Sequence, residues 1–523
     1  MQLLSTVAEL AAWRRSHADR PLHYVPTMGA LHAGHQQLIR RAGVLCCREG
    51  ARPLVLVSVF VNPLQFGPGE DFDRYPRDLE RDAALAAAAE ADALFAPGLQ
   101  EVYPEGLEGL TRVIPPPSLQ STLCGSCRPG HFEGVATVVC RLLALVRPDR
   151  LLLGEKDWQQ LVILRRVVQD LALPVTVQGC ATVRGSDGIA CSSRNRYLTP
   201  AQLEQAQALP TALLMAKRLY REGERDAQVL VGSVERQLRQ AGLAPEYVEM
   251  VQALTLRPSP QAQGLTLLAV AVACGPSRLI DHVFLMSRSP IVAIDGPAGA
   301  GKSTVTRAFA RRMGLIYLDT GAMYRALTWW VLHQGVDPED ATAVAPLLEN
   351  LDLQLSSSAS GEPLVTINGH EVSEAIRSPE VTARVSQVAA HGCVRQALTR
   401  QQQAMGQRGG LVAEGRDIGT AVFPDAECKI FLTATVAERA RRRALDLEAR
   451  GFAVPSLAEL EAQIAERDHR DSSREVAPLQ QAEDALELVT DGLPIEAVIQ
   501  ALVDRFRERV PEEAWPAPTT AQA

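Results

Sequence analysis

No segment of this chain is apolar for long enough to cross a bilayer. The most apolar run, Leu265 to Cys274, falls far short of the ~20 residues that a spanning helix needs. The first residues, Met1-Gln-Leu-Leu-Ser-Thr-Val-Ala-Glu-Leu, lack the basic start and apolar core of a secretory signal. An excess of positive charge is also missing. The net charge is −8 and the pI about 5.8, which argues against binding nucleic acid through bulk charge. Nor do the 10 cysteines fall into paired motifs: Cys124-Gly-Ser-Cys127 stands alone, so ordinary reduced thiols are expected there rather than a zinc or redox centre. Together these absences predict a cytoplasmic protein with neither a membrane nor a nucleic acid as partner.

What is present is ordinary globular composition, 46% hydrophobic and 22% charged over 523 residues. At roughly 100–200 residues per domain, that length makes about three or four domains or subdomains. Strand-like and helix-like segments alternate in the first part. Leu22–Pro26, Leu54–Val61, Ala93–Ala96 and Arg150–Leu153 read as strands, and Asp78–Asp92, Val135–Val146 and Asp157–Leu171 as helices. Such alternation predicts α/β architecture with a doubly wound parallel sheet over residues 1–195. Residues 196–285 change character: helices Pro200–Arg221 and Asp226–Ala241, then strands Pro245–Val251 and Leu265–Ala273, make a small α+β subdomain. A new strand, Ile291–Asp295, follows Met286-Ser-Arg-Ser-Pro290 at once, so another domain is expected over 286–510. The Pro- and Ala-rich 511–523 reads as a disordered tail.

Two phosphate motifs carry the chemistry. Pro26-Thr-Met28-Gly29-Ala-Leu-His32-Ala-Gly-His35 follows a strand and opens a helix. Glycine lets a phosphate approach, the helix N-terminus adds its dipole and free N–H groups, and two imidazoles on one turn can donate to an oxyanion as it forms. Further polar segments fall mostly after strands, at the end of the sheet where ligands bind. They are Asn62-Pro-Leu-Gln65, Arg128-Pro-Gly-His-Phe-Glu-Gly134, Gly154-Glu155-Lys156-Asp157-Trp-Gln-Gln160 and Asp187-Gly-Ile-Ala-Cys191-Ser192-Ser193-Arg194-Asn195. In this order they closely resemble the pantothenate synthetase (pantoate–β-alanine ligase) family, of the Rossmann-like H-I-G-H nucleotidyltransferases, over roughly residues 1–282.

That resemblance implies ATP-dependent activation of pantoate as pantoyl adenylate, then attack by β-alanine with release of AMP. His32 and His35 would stabilise adenylylation, with His35 the proton donor, and Lys156 and Arg194 would act on the phosphates. Met28, Gly29, Gly154, Glu155, Asp157, Val183, Cys191, Ser192 and Ser193 complete the implied ATP set, Val183 through backbone contacts to adenine. Gln65 and Gln160 would hold pantoate and β-alanine. Mg²⁺ is the implied cofactor, with Asp82 a candidate for support nearby. The family also implies a homodimer through the N-terminal half.

The second motif is Gly296-Pro-Ala-Gly299-Ala-Gly301-Lys302-Ser303, between strand Ile291–Asp295 and helix Thr304–Met313. This is the context of a P-loop: backbone N–H groups around phosphates, Lys302 on the β- and γ-oxygens, and the Ser303 hydroxyl toward Mg²⁺. Arginines then cluster in a chain of negative net charge, in Glu438-Arg439-Ala-Arg-Arg442-Arg443 and Arg467-Asp468-His-Arg470-Asp471-Ser-Ser-Arg474. Phosphoryl transfer calls for such cations. With Asp319-Thr320-Gly-Ala-Met-Tyr324-Arg325 and Glu414-Gly415-Arg416-Asp417, these motifs resemble bacterial cytidylate kinases of the P-loop nucleoside monophosphate kinase class, over roughly 288–505. The family's insert corresponds to Asp352–Ser378. The resemblance implies transfer of the ATP γ-phosphoryl group to CMP or dCMP. Gly296, Gly299, Gly301, Lys302, Ser303, Thr304, Arg439 and Arg443 would face ATP, with Arg439, Arg442 and Arg443 on a mobile lid. Thr320, Arg325, Ser386, Arg395, Arg416, Asp417, Arg467, Asp471 and Arg474 would face CMP. The alternatives are one half kept as a regulatory nucleotide-binding module, another hydroxy acid at the first site, or UMP at the second.

Overall fold

In a computed structural model of the chain, the described residues are 1–45, 52–357, 363–449, 451, 453–474 and 476–518. They divide into two units. The first comprises Met1–Ser287 and Pro511–Pro516, the second Arg288–Val510 and the stretch from Ala517.

The first unit is built on β1 (Gln2–Leu4), β2 (Leu22–Thr27), α1 (Ala33–Val44), β3 (Leu54–Val59), α2 (Leu79–Ala88), β4 (Ala93–Phe95), α3 (His131–Val146), β5 (Arg150–Gly154), α4 (Trp158–Asp170) and β6 (Thr176–Cys180). The strands make one six-stranded sheet in the order β1-β4-β3-β2-β5-β6, and every pairing is parallel. Leu54, Val55, Leu56 and Val57 are buried almost completely, as a strand covered by helices on both faces must be. Winding runs outward from β2 through β3 to β4, then restarts on the other side of β2 with β5. The switch point therefore lies where β2 delivers Met28–His35 and β5 delivers Glu155–Asp157, the crevice in which such sheets bind ligands.

α5 (Ala208–Arg221) and α6 (Ala227–Gln240) pack with the antiparallel sheet of β7 (Pro245–Gln252), β8 (Leu265–Cys274) and β9 (Ser277–Met286). The single helix expected over Pro200–Arg221 is two, Pro200–Ala206 and Ala208–Arg221. Pro210 has no N–H to donate to the carbonyl four residues back, so the hydrogen-bond ladder breaks there. Met286, expected to open the next domain, is the last residue of β9 and pairs with Leu265. The junction is Ser287–Arg288. Pro511–Pro516, expected in a disordered tail, is part of the first unit, because its backbone donors and side chains find partners there. Residues 519–523 of that expected tail lie outside the described residues.

The second unit contains β10 (Ile291–Asp295), α7 (Lys302–Met313), β11 (Ile316–Asp319), α8 (Thr320–His333), β12 (Leu353–Ser357), β13 (Pro363–Ile367), β14 (His370–Glu371), α9 (Pro379–Ala390), α10 (Gly392–Gly406), β15 (Leu411–Gly415), β16 (Cys428–Thr433), α11 (Val436–Ala449), α12 (Leu457–Ser473), β17 (Leu486–Val489) and α13 (Ile495–Arg509). Its parallel sheet has the order β11-β15-β10-β16-β17. The expected insert forms the antiparallel β12-β13-β14 sheet, with 358–362 outside the described residues. Among the described residues no helix is long and apolar enough to cross a membrane.

Phe309 of α7 and Phe506 of α13 meet edge-on at 5.7 Å between ring centroids, both fully buried. Phe506→Ala should cost about 3–5 kcal/mol. Calorimetry should show the second unit's transition moving down while that of the first stays in place.

Candidate active sites

At the first site, the left-handed Gly29 (φ +83°) turns the chain from β2 into α1. His32 caps α1: its Nδ1 accepts the Gly34 N–H at 3.1 Å, so the proton of the neutral ring sits on Nε2. The His32 and His35 rings lie 4.0 Å apart. Burial, then the nearby Lys156 and Arg196 charges, depress His32 to about 4. Burial, with His32 and Lys156, holds His35 well below the usual imidazole range. His35 Nδ1 is buried without a hydrogen-bond partner. Two neutral imidazoles beside a lysine thus converge at the switch point.

Lys156, Asp157, Gln160, Ser192 and Arg194 line one cavity of about 230 Å³ with Glu70, Arg128 and His131. Gln65 is held beside Met28: its Nε2 donates to Met28 Sδ at 3.0 Å and its Oε1 accepts from Asn62 at 3.2 Å. Gly134 permits this. A Cβ on it would lie 2.2 Å from the Leu64 carbonyl oxygen, so α3 can abut the Asn62–Gln65 turn only with glycine there. The Val183 carbonyl accepts from Cys191 N–H at 2.8 Å, and Ser192 Oγ accepts from Arg194 N–H at 3.3 Å. Arg194 itself is engaged by Asp71 through Nε and Nη2 at 2.9 and 2.8 Å, while Ser193 and Tyr75 hydroxyls meet at 3.0 Å.

Asp82 does not fit the expected metal-supporting role. It is buried, and its two oxygens accept from Ala30 and Leu31 N–H at 2.8 and 2.7 Å. It fixes the loop that carries the histidines. Sequence reasoning also passed over Arg128. Its guanidinium donates to Glu70 from Nε at 2.8 Å and, from Nη2, to the Gln65 carbonyl at 3.3 Å. Only its place in the Arg-Pro-Gly-His segment signalled it.

At the second site Gly296 is required outright: φ is +146° and a Cβ would meet the Leu432 carbonyl oxygen at 2.0 Å. Lys302 Nζ donates to the Gly296 and Pro297 carbonyls at 2.7 and 2.8 Å. Burial first, then Arg416, lowers its pKa well below the usual lysine range. Ser303 Oγ donates to Glu414 Oε1, which also accepts from Tyr317 at 2.8 Å. Burial, with Asp319 nearby, raises the Glu414 carboxyl.

An open cleft of about 1880 Å³ brings together Gly299, Gly301, Lys302, Ser303, Thr304 and Arg443 with all nine residues expected at CMP: Thr320, Arg325, Ser386, Arg395, Arg416, Asp417, Arg467, Asp471 and Arg474. Arg395 and Asp417 form a buried pair, and Arg416 Nε meets Asp471 at 2.9 Å. Arg467 Nε and Arg474 Nη2 are buried without hydrogen-bond partners. Burial and neighbouring arginines lower both guanidinium pKa values.

Arg439 departs from expectation. It is 3% exposed, pairs with Asp468 and donates to the Ala298 and Ala434 carbonyls at 3.1 and 3.0 Å. It is tied to the P-loop through the Ala298 carbonyl and does not line the cleft where ATP was expected to meet it. Of the three arginines assigned to the mobile lid, Arg442 and Arg443 line the cleft.

The family model for pantoate-beta-alanine ligase matches residues 2–284 and that for cytidylate kinase matches 292–508. A bifunctional pantoate ligase/cytidylate kinase of Prochlorococcus marinus (strain MIT 9313) is 64% identical over 96% of this chain and 99% of its own. One from Synechococcus sp. (strain CC9605) is 65% identical over 94% of this chain and 100% of its own. The crystal structure of pantothenate synthetase from Thermus thermophilus is 46% identical, with a TM-score of 0.50, over 54% of this chain and 99% of that one.

Acid should test the first site's electrostatics. His32 and His131, each near 4, and His35, held well below the usual imidazole range, bind no proton in the folded protein at pH 5–6, whereas unfolded imidazoles near 6.5 do. Stability therefore rises with pH across this window. Glu155, raised to about 7 by burial, and Asp82, also raised by burial, act oppositely but are two groups against three. Melting of the first unit between pH 5 and 6.5 should show a positive slope, flattened in His32→Gln.

Proposed function

Since this chain belongs to the family of bifunctional pantoate ligase/cytidylate kinases, we propose that it performs both named reactions in a cytoplasmic setting. Pantoate and β-alanine condense at the expense of ATP in the first unit. CMP or dCMP takes the γ-phosphoryl group of a second ATP in the other.

The observation that carries the first assignment is the neutral imidazole pair at the switch point, beside Lys156. Neutral His32 can offer its Nε2–H to a phosphate oxygen. The arriving triphosphate then raises both imidazole pKa values, because an anion favours the charged ring. His35 so charged can return a proton as pyrophosphate leaves. Charge grows on the α-phosphate only as the pantoate carboxylate attacks, so these donors act chiefly on the transition state. Gln65 and Gln160, amides that both donate and accept, suit the hydroxyls and carboxylate of pantoate. Arg194 exchanges Asp71 for phosphate. Val183 serves adenine through its backbone.

The second assignment is carried by two buried guanidinium nitrogens without hydrogen-bond partners, Arg467 Nε and Arg474 Nη2, the latter 3.6 Å from Asp417. Buried donors without acceptors are costly, and phosphate oxygens of a nucleoside monophosphate would satisfy them. Lys302 moves from the loop carbonyls to the β- and γ-oxygens. A Mg²⁺ fits here: Glu414 Oε2 is buried without a partner beside Ser303 Oγ, and the ion would supply charge neutralisation between the phosphates. Asp82 does not fit an ion at the first site. A homodimer through residues 1–282 completes the proposal.

Two substitutions separate the sites. His35→Ala should abolish AMP formation from ATP, pantoate and β-alanine yet leave CDP formation from CMP within about twofold, and Lys302→Ala should do the reverse; each removes transition-state contacts usually worth about 10²-fold or more. Loss of both activities from either folded variant would refute independent sites. A panel including UMP and other hydroxy acids would fix the substrates.

A further inference from the structure

The ATP set of the first site is held by residues from the far end of the chain. Pro511–Pro516 belongs to the first unit. It folds as a tight turn, with Ala514 and Trp515 N–H donating to the Pro511 carbonyl at 3.2 and 3.1 Å, and Ala514 packs against the unit's apolar core. The turn presents two consecutive backbone donors to one carboxylate. Glu512 N–H reaches Glu155 Oε1 at 2.7 Å, and Glu513 N–H reaches Glu155 Oε2 at 2.9 Å. Glu155 is 1% exposed, the residue before Lys156 and at the switch point.

The side chains of the same turn grip three further elements. Glu513 Oε1 accepts from Thr182 N–H at 2.9 Å and also from the Thr182 hydroxyl. Its other oxygen lies 3.7 Å from His282 Nε2 on β9. Glu512 accepts from Ala181 N–H at 3.4 Å and lies 3.8 Å from Arg41, on the helix that opens with the histidine motif. Glu155, Thr182 next to Val183, and α1 are the parts of the first site that would surround the nucleotide.

We propose that Pro511–Pro516 is a positioning strap for the ligase's ATP site, with Glu512 and Glu513 fixing Glu155 and the Thr182–Val183 backbone before ATP binds. Neither glutamate touches the reacting atoms. They act through Glu155, whose burial would otherwise leave a carboxylate without donors, and through the backbone that faces adenine. The inference rests on the ligase reading of residues 1–282.

The test compares the full chain with a chain ending at Val510, with Glu513→Ala and with Glu513→Gln. ATP is varied in the pantoate and β-alanine reaction, and CMP kinase rates are taken on the same preparations. The shortened chain and Glu513→Ala should raise the ligase KM for ATP by about fivefold or more, the net worth of roughly one ordinary hydrogen bond, with kcat held within about twofold. Glu513→Gln keeps an acceptor for Thr182 and should recover most of the loss. Kinase constants should not move. An unchanged ligase KM in folded variants, even with a lowered melting temperature, would show mere packing and overturn the proposal. A faster ligase would mark an inhibitory cover and overturn it too. If the shortened chain fails to fold, the Ala and Gln pair decides. A full chain that makes CDP but no pantothenate would instead overturn the ligase reading, and the strap with it.

Discussion

The arrangement rests on one recurring interaction: a buried carboxylate that accepts two consecutive backbone N–H groups. Asp82 receives Ala30 and Leu31. Asp295 receives Ile418 and Gly419 at 2.8 and 2.7 Å. Glu155 receives Glu512 and Glu513. In each case burial raises the carboxyl pKa and the backbone donors pull it back. A carboxylate shut away from water is tolerable only when its oxygens are satisfied, and the donors that satisfy it are thereby fixed. Asp82 fixes the turn into His32. Asp295 fixes the turn after Arg416 and Asp417. A phosphate-binding loop must hold N–H groups in the open for its ligand, so it cannot be ordered by pairing all of them. Anchoring neighbouring backbone to a buried acid orders the loop and leaves the rest free.

The two sites then diverge in how they meet negative charge. The first uses imidazoles that burial keeps neutral beside Lys156 and Arg196, and the ligand's own charge recruits the proton. The second packs Arg325, Arg395, Arg416, Arg467 and Arg474 around one cleft. Asp319, Asp417 and Asp471 compensate only part of that charge. Burial first, and then repulsion from the neighbouring guanidinium groups, lowers the Arg467 and Arg474 pKa values, a standing cost that a phosphate relieves. Neutral donors suit a step whose charge appears in the transition state. Permanent cations suit phosphate charge present throughout.

Local pattern makes much of this legible. The apolar run at Leu54 and the Ala-rich segment after Asp78 mark strand and helix because their periodicity is written within a few residues. The short edge strands β1 and β6 escape a sequence reading, since three to five residues at a sheet edge carry little pattern. The motifs locate both sites for the same reason: H-x-G-H and the P-loop are contiguous. What fails is long-range. Asp82 reads as a spare acid because nothing near it in sequence shows that Ala30 and Leu31 lie against it. Arg439 reads like Arg442 and Arg443 until Asp468 and the Ala298 carbonyl enclose it. Pro, Ala and Thr content suggests disorder after Pro511, but composition cannot register that two glutamates have backbone partners more than three hundred residues away in the chain.

That last contact changes what the fusion means physically. The first unit is discontinuous in sequence, since its final turn follows the whole of the second. Synthesis from the N-terminus releases β1 to β9 long before Glu512 exists. Until then the Glu155 carboxylate, which desolvation pushes toward the neutral form, lacks the two donors that hold it, and Thr182 lacks its acceptor. The sheet depends little on the strap, because the apolar core of β2 to β5 is built from residues before Ser287, with Ala514 alone of the strap packed against it. Completion of the nucleotide-facing surface depends on the strap. A chain that stops early lacks the two donors to Glu155 and the acceptor for Thr182.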